Sequence, residues 1–274
     1  MKNSKLNECS PLKLTKDSNH ETHKIYAKKL SYSGQRYEHK KVDANSQGHI
    51  LNTLILGDDI YTQYIKQNLK NNDNSNFLII SKNKNCVEDI PDNYNIQILN
   101  LENDKNYCSN LLKKYLSKIV FEENNAIVFL FDKKNISEEI SCILSQFYQI
   151  LHKADMPYRK PHVKIILDNF TDYYISDIEK LSAFSICRIY NYSIDFCVND
   201  ISKMKQLYKD DKTYPNLFIF LCLENRNARN INYIYEKSKS WNILSDKTSV
   251  QDFITMTRNK RVILIIGLGM YICE

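Results

Sequence analysis

From residue 50 onward, short apolar runs alternate with stretches whose apolar residues recur at helical spacing, and this alternation constrains the fold more than any other feature. Leu51–Leu56, Phe77–Ile80, Ile96–Leu101, Ala126–Phe131, Val163–Leu167 and Ile186–Tyr190 read as strands. They are continuously apolar rather than alternating, which predicts a sheet covered on both faces. Between them, Ile60, Tyr64, Ile65 and Leu69 predict one helix, and Leu111, Leu112, Tyr115, Leu116 and Ile119 a second. Ile136, Ile140, Ile143, Leu144, Phe147 and Leu151 predict a third, opened by Asn135 with Glu138 in a capping-box arrangement. Ile175, Ile178 and Leu181, then Ile201, Met204, Leu207 and Tyr208, predict two more. Consecutive βαβ units of this kind give an α/β fold with a doubly wound, mostly parallel, Rossmann-like sheet over residues 50–212. Residues 213–274 carry Asn216–Leu223, a helix near Ile231–Trp241 and Val262–Ile266. They are expected to extend the sheet or to begin a second Rossmann unit.

Residues 1–49 are different. They are rich in Ser, Asn and Lys, poor in aliphatic residues, and without a sustained period apart from a short strand near Ile25–Leu30. The formal net charge of the 274-residue chain is +6, and most of that excess sits in this segment. The expectation is a disordered basic arm, with any nucleic-acid contact assigned to it. No apolar stretch approaches the roughly 20 residues that a spanning helix needs. The eight cysteines are scattered, without a CxxC pair, and several stand inside apolar runs, so they read as reduced thiols of a cytoplasmic protein.

Glycine is scarce: Gly34, Gly48, Gly57, Gly267 and Gly269 are all there are. In an open parallel sheet, ligands bind beyond the carboxyl ends of the strands. The candidate binding residues are therefore Gly57, Asp58 and Asp59 after the first strand, Ser81 after the second, and Asp132 after the fourth. A dinucleotide turn needs three glycines, for the turn, for approach to pyrophosphate and for helix packing. Here only Gly57 is present, Asp58 and Asp59 would oppose a phosphate, and Ser81-Lys82-Asn83 replaces the acidic ribose-binding residue. NAD or another nucleotide is thus disfavoured, and the favoured reading is a turn that connects and caps. Asp58, Asp59 and Asp132 could alternatively gather round a hard cation. His20 and His23 with Cys9 and His39 match no zinc spacing. No GxSxG, HExxH, Walker Lys-Ser/Thr or kinase signature occurs, and no catalytic residue is assigned.

The order of elements also resembles the RCK (regulator of potassium conductance), TrkA-N-like domains. Thr53-Leu-Ile-Leu-Gly57 is similar to that family's opening strand and turn. Asn125–Asp132, followed by the helix with Glu138-Glu139, is similar to its fourth strand and helix, and Pro161–Leu167 to its fifth strand. Ile186–Tyr190 with Val198–Tyr208 resembles the closing strand and helix. Tyr214-Pro-Asn-Leu-Phe218 resembles the continuation in Slo-type potassium-channel tails, where Val262–Gly269 would open the second unit. The resemblance implies a non-catalytic regulatory or ligand-sensing domain, a homodimer or a subunit of a membrane channel or transporter. The alternatives are a class I S-adenosylmethionine-dependent methyltransferase-like protein acting on RNA and an interaction-only Rossmann relic.

Overall fold

The computed structural model describes residues 24–30, 37–43, 52–70, 75–101, 110–132, 136–153, 161–209, 214–223, 227–244, 246–258, 260–265 and 269–273. The strands are β1 Lys24–Leu30, β2 Tyr37–Asp43, β3 Thr53–Leu56, β4 Asn76–Ser81, β5 Asn95–Asn100, β6 Asn125–Leu130, β7 Val163–Leu167, β8 Tyr192–Val198, β9 Ile219–Cys222, β10 Arg261–Ile265 and β11 Gly269–Cys273. They form one 11-stranded sheet in the order β2-β1-β11-β10-β9-β3-β8-β7-β4-β6-β5. From β9 to β5 every pairing is parallel, whereas β10, β11, β1 and β2 join antiparallel. The α/β class and the doubly wound, mostly parallel sheet are as the sequence predicts.

Among the described residues eight α-helices stand between the strands: α1 Lys66–Lys70, α2 Asn110–Phe121, α3 Ser137–His152, α4 Ile178–Leu181, α5 Phe184–Tyr190, α6 Ile201–Leu207, α7 Ala228–Ser240 and α8 Val250–Thr257. Two apolar layers lie against opposite faces of the sheet. The larger takes Leu116, Ile140, Phe147, Ile178, Met204, Ile234 and Phe253 from α2 to α8. The smaller takes Ile60, Ile65 and Leu69 from the segment after β3, and Cys86, Ile90 and Tyr94 from the segment after β4. The layering follows the direction of travel. Connections running toward β5, from β3 and from β4, cover one face. Those running back, from β5 through β9, cover the other, as a single crossover hand requires.

Three local outcomes differ from the periodicity reading. Ile186–Tyr190 is not a strand but most of α5, which ends on Asn191 in the left-handed conformation at φ 58°. The neighbouring strand is β8, whose Asp195 interrupts the apolar run and hides it from a hydrophobicity scan. Helix α3 begins at Ser137 with Ile136 at the cap position and no side-chain cap, and Asn135 lies outside the described residues. The Asn-rich stretch 71–76 is not all loop, because Asn76 opens β4. Its amide donates to the Ile119 and Glu122 carbonyls at 2.7 and 2.6 Å and accepts from the Asn125 N–H at 2.9 Å. Of the predicted arm, β1 and β2 are described as an antiparallel hairpin that lies along β11, and β1 is the strand expected near Ile25–Leu30. The rest of residues 1–49 lies outside the described residues. Strands β9, β10 and β11 extend the same sheet, with β9 seated directly on β3.

Candidate functional site

The carboxyl ends of four consecutive strands, β3, β8, β7 and β4, open into a cleft of about 400 Å³. Its lining comprises Asp58, Asp59, Ile60 and Tyr61 after β3, Asn199 after β8, Asp168 and Asn169 after β7, and Lys82, Asn83 and Lys84 after β4. The chain leaves β4 toward β5 and leaves β7 toward β8, so the two connections diverge between these adjacent strands. That divergence is the switch point at which open α/β sheets form crevices.

Asp168 forms the floor. It is 6% exposed, its backbone N–H bonds to the Ile80 carbonyl at 2.9 Å, and its Oδ2 accepts from the Ser81 hydroxyl at 2.6 Å. Ser81 Oγ in turn accepts from the Asn83 N–H at 2.9 Å, so one hydroxyl ties two strand ends together. Burial pushes the Asp168 carboxyl above the usual carboxylate range, only partly opposed by the Ser81 hydroxyl. Asn169 holds φ 52°, a left-handed conformation that an Asn tolerates, and this turns the chain sharply away from β7. Lys82 pairs with Asp172 and sits 5.3 Å from the Phe131 ring centroid. Lys84 is exposed and makes no ion pair among the described residues. The cleft therefore offers one buried carboxylate with its hydroxyl partner, two lysines, and the amides of Asn83, Asn169 and Asn199.

The other wall is the turn after β3. Gly57 is buried, and a Cβ placed on it would stand 2.9 Å from the Leu223 Cβ. The glycine is thus required by close packing of β3 against the end of β9, not by approach to a phosphate. Asp58 and Asp59 are exposed, and Asp59 Oδ1 accepts from the Thr62 N–H at 3.3 Å, the capping role expected of it. One π-helical turn, Tyr61–Ile65, leads into α1. Tyr61 donates to Asp89, and Lys66 and Lys70 stand 3.7 and 3.3 Å from the same carboxylate. Burial raises the Asp89 carboxyl, but Tyr61 and the two lysines outweigh it and hold the group below the usual range.

Of the residues read from sequence, Asp58 and Asp59 line the cleft, Gly57 shapes its wall and Ser81 lies beneath its floor. Asp132 stands exposed beyond β6 and does not line the cleft. Among the described residues no three His, Cys, Asp or Glu side chains gather as a metal ion would require, so the alternative in which Asp58, Asp59 and Asp132 surround a hard cation is not what the structure brings together. Cys9, His20 and His23, and the side chain of His39, lie outside the described residues. Sequence reasoning recognises Asp168-Asn169 as the carboxyl end of the Val163–Leu167 strand without assigning it to the site, and misses Lys84 and Asn199. Among the described residues no helix is long and apolar enough to cross a membrane.

The strand order corrects the expected site geometry. In the common doubly wound orders the first two strands of the nucleotide half are neighbours. Here β8 and β7 stand between β3 and β4, which puts their ends about 14 Å apart at about 4.8 Å per strand. The adjacency of first and second strands that the RCK resemblance and the methyltransferase-like alternative imply is therefore not the order observed.

No protein-family model matches this chain, and no curated protein sequence does. Among solved structures it is similar to the bacterial conjugative coupling protein TrwB in a trigonal form with sulphate, at 7% identity over 59% of this chain and 42% of that one, TM-score 0.42. The plasmid coupling protein TrwB with the GTP analogue GDPNP gives 8% identity, the same coverage and TM-score 0.42. The same protein with ADP and Mg²⁺ gives 8%, the same coverage and TM-score 0.40. The chain thus spans less than half the length of these proteins. These neighbours are coupling proteins, not RCK or TrkA-N domains. The strand order corrects the expected RCK family, and with it the Slo-type channel role in potassium transport and the non-catalytic ligand-sensing function drawn from that resemblance.

Proposed function

We propose that the cleft binds a nucleotide as its magnesium complex and turns it over slowly or not at all. The observation that carries this reading is the Ser81 hydroxyl on the Asp168 carboxylate at 2.6 Å, joining the ends of adjacent parallel strands beneath Lys82 and Lys84. A hydroxyl and a strand-end aspartate are the pair that holds Mg²⁺ in phosphoryl-transfer sites, while lysines meet the phosphates. Mg²⁺ needs only one or two protein carboxylates, because waters and phosphate oxygens complete its octahedron. That requirement suits a cleft with a single buried acid. The ion also offsets the repulsion that Asp58 and Asp59 would exert on bare phosphate. Slow turnover follows from the sequence, because Gly57-Asp-Asp-Ile-Tyr-Thr62 contains neither the glycine-rich cradle nor the lysine of a phosphate loop. A nucleotide ligand and five described cysteines that are all free thiols support placing the protein in the cytoplasm.

Thermal unfolding of the full chain with ADP, with Mg²⁺ and with both tests the proposal. A ligand at 100 times its Kd stabilises the fold by about 2.7 kcal/mol, an easily read shift. The shift is expected with Mg–ADP and is expected to disappear in Asp168→Asn. The ligand-free variant should melt higher than the wild type. A carboxyl whose folded pKa is raised costs stability once pH exceeds its unfolded pKa, and the amide removes that cost. No shift with Mg–ADP or Mg–ATP would overturn the reading.

A further inference from the structure

Beyond the cleft, we infer that the face shared by α6 and α7 seats the phosphodiester backbone of a nucleic acid. Arg229, Tyr233 and Lys237 recur every fourth residue and form one stripe of α7, and Lys205 of α6 reaches across to it. The Lys205 ammonium lies 4.9 Å from the Tyr233 ring centroid and that of Lys237 lies 5.7 Å from the same point. Two cations thus converge on one ring. Such convergence costs Coulomb energy unless an anion answers it. Glu236, the single acid within the two helices, makes no ion pair with either lysine among the described residues. Arg229 is held 3.2 Å from Asp200 and 3.1 Å from the Ser202 hydroxyl, so its charge is answered, whereas Lys205 and Lys237 make no ion pair among the described residues.

The surroundings select the partner. Tyr233 is only 6% exposed, so it is a platform for the lysines and not a base-stacking surface. The exposed positions of α6 and α7 are Lys203, Lys205, Gln206, Ala228, Arg229, Asn232, Glu236 and Ser240, with no large apolar side chain to enter a bilayer. Lysines without apolar company suit a regular array of phosphates, which they neutralise with release of counterions. Residues 1–50 carry ten Lys and Arg against five Asp and Glu, so the chain holds a second basic element that a long polyanion could span.

The test is fluorescence anisotropy of a labelled single-stranded oligonucleotide titrated with the full chain at several salt concentrations. Each lysine lost from a phosphate should lower the slope of log K against log salt by roughly 0.7 for a single strand. K205Q/K237Q should therefore lower it by about 1.4 and weaken binding several-fold at low salt, without lowering the thermal midpoint of the free protein. K113Q/K114Q, on exposed positions of α2, should leave the slope unaltered. An unchanged slope in K205Q/K237Q would overturn the proposal. So would equally tight binding of the wild type to phosphatidylserine vesicles or to polyglutamate, because this face would then answer to negative charge of any kind.

Discussion

Single residues carry constraints here that no hydrophobic pattern announces. Asn52 is 1% exposed and precedes β3. Its amide donates to the Ser182 and Asn216 carbonyls at 2.6 and 3.0 Å and accepts from the Ile194 N–H at 2.9 Å, so one side chain binds three segments. Asn76 does the same for the end of α2 and the start of β6. In a chain rich in asparagine these two look like background, and only their neighbours in space distinguish them. Gly57 is the opposite case. It was legible as special, but as the remnant of a phosphate turn, whereas its physical reason is Leu223, 166 residues away in the sequence. Gly57→Ala is accordingly expected to destabilise the protein by about 1–3 kcal/mol through overpacking. The double variant with Leu223→Ala should show a positive coupling when both are measured by urea unfolding. If Gly57→Ala is neutral, the close contact is not what selects glycine.

At the scale of elements, the part of the smaller face after β3 is covered by the short π-turn and α1, which contribute few apolar side chains, and polar bonds hold them down. Tyr64 donates to Asp195 Oδ2 at 2.8 Å, and Lys164 of the neighbouring strand stands 3.3 Å from the same oxygen and 3.0 Å from Asn68 Oδ1. Asp195 is 2% exposed at the middle of β8. Burial beside this carboxylate pushes the Tyr64 hydroxyl well above its ordinary range, so it stays a donor. Removing one partner of such a pair leaves an unpaired buried charge. Lys164→Met alone is expected to cost about 3–5 kcal/mol, whereas Lys164→Met with Asp195→Leu should recover most of it. Chemical denaturation of both variants decides the matter, and a double variant no better than the single would show that the pair stabilises on its own account. This network also explains the misread strand, since Ser193 and Asp195 inside β8 leave no three consecutive apolar residues before Phe196.

For the whole molecule, the pairing of β9 with β3 means that residues beyond 212 complete the sheet on which the cleft stands. Val262 and Leu264 of β10 and Met270 of β11 belong to the same apolar layer as Phe129 and Phe196. A chain ended at residue 212 should expose the edge of β3 and the face beneath α7. It is expected to bind a hydrophobic dye and to lose cooperative unfolding. A sharp two-state transition in that truncation would show that residues 50–212 fold alone.

The sequence by itself determined the α/β class, the two covered faces of the sheet and most of its strands, because local period and continuous apolar runs are properties of neighbours along the chain. It also placed Asp58, Asp59 and Ser81 at strand ends. Only the tertiary structure decided the order of the strands, since βαβ units of the same local pattern can be laid side by side in more than one sequence. That order separates β3 from β4, brings Asp168 under Ser81, and removes Asp132 from the cleft. A site assembled from the ends of four strands depends on which strands are neighbours, and the energies that choose neighbours come from packing across the sheet between residues far apart in the chain.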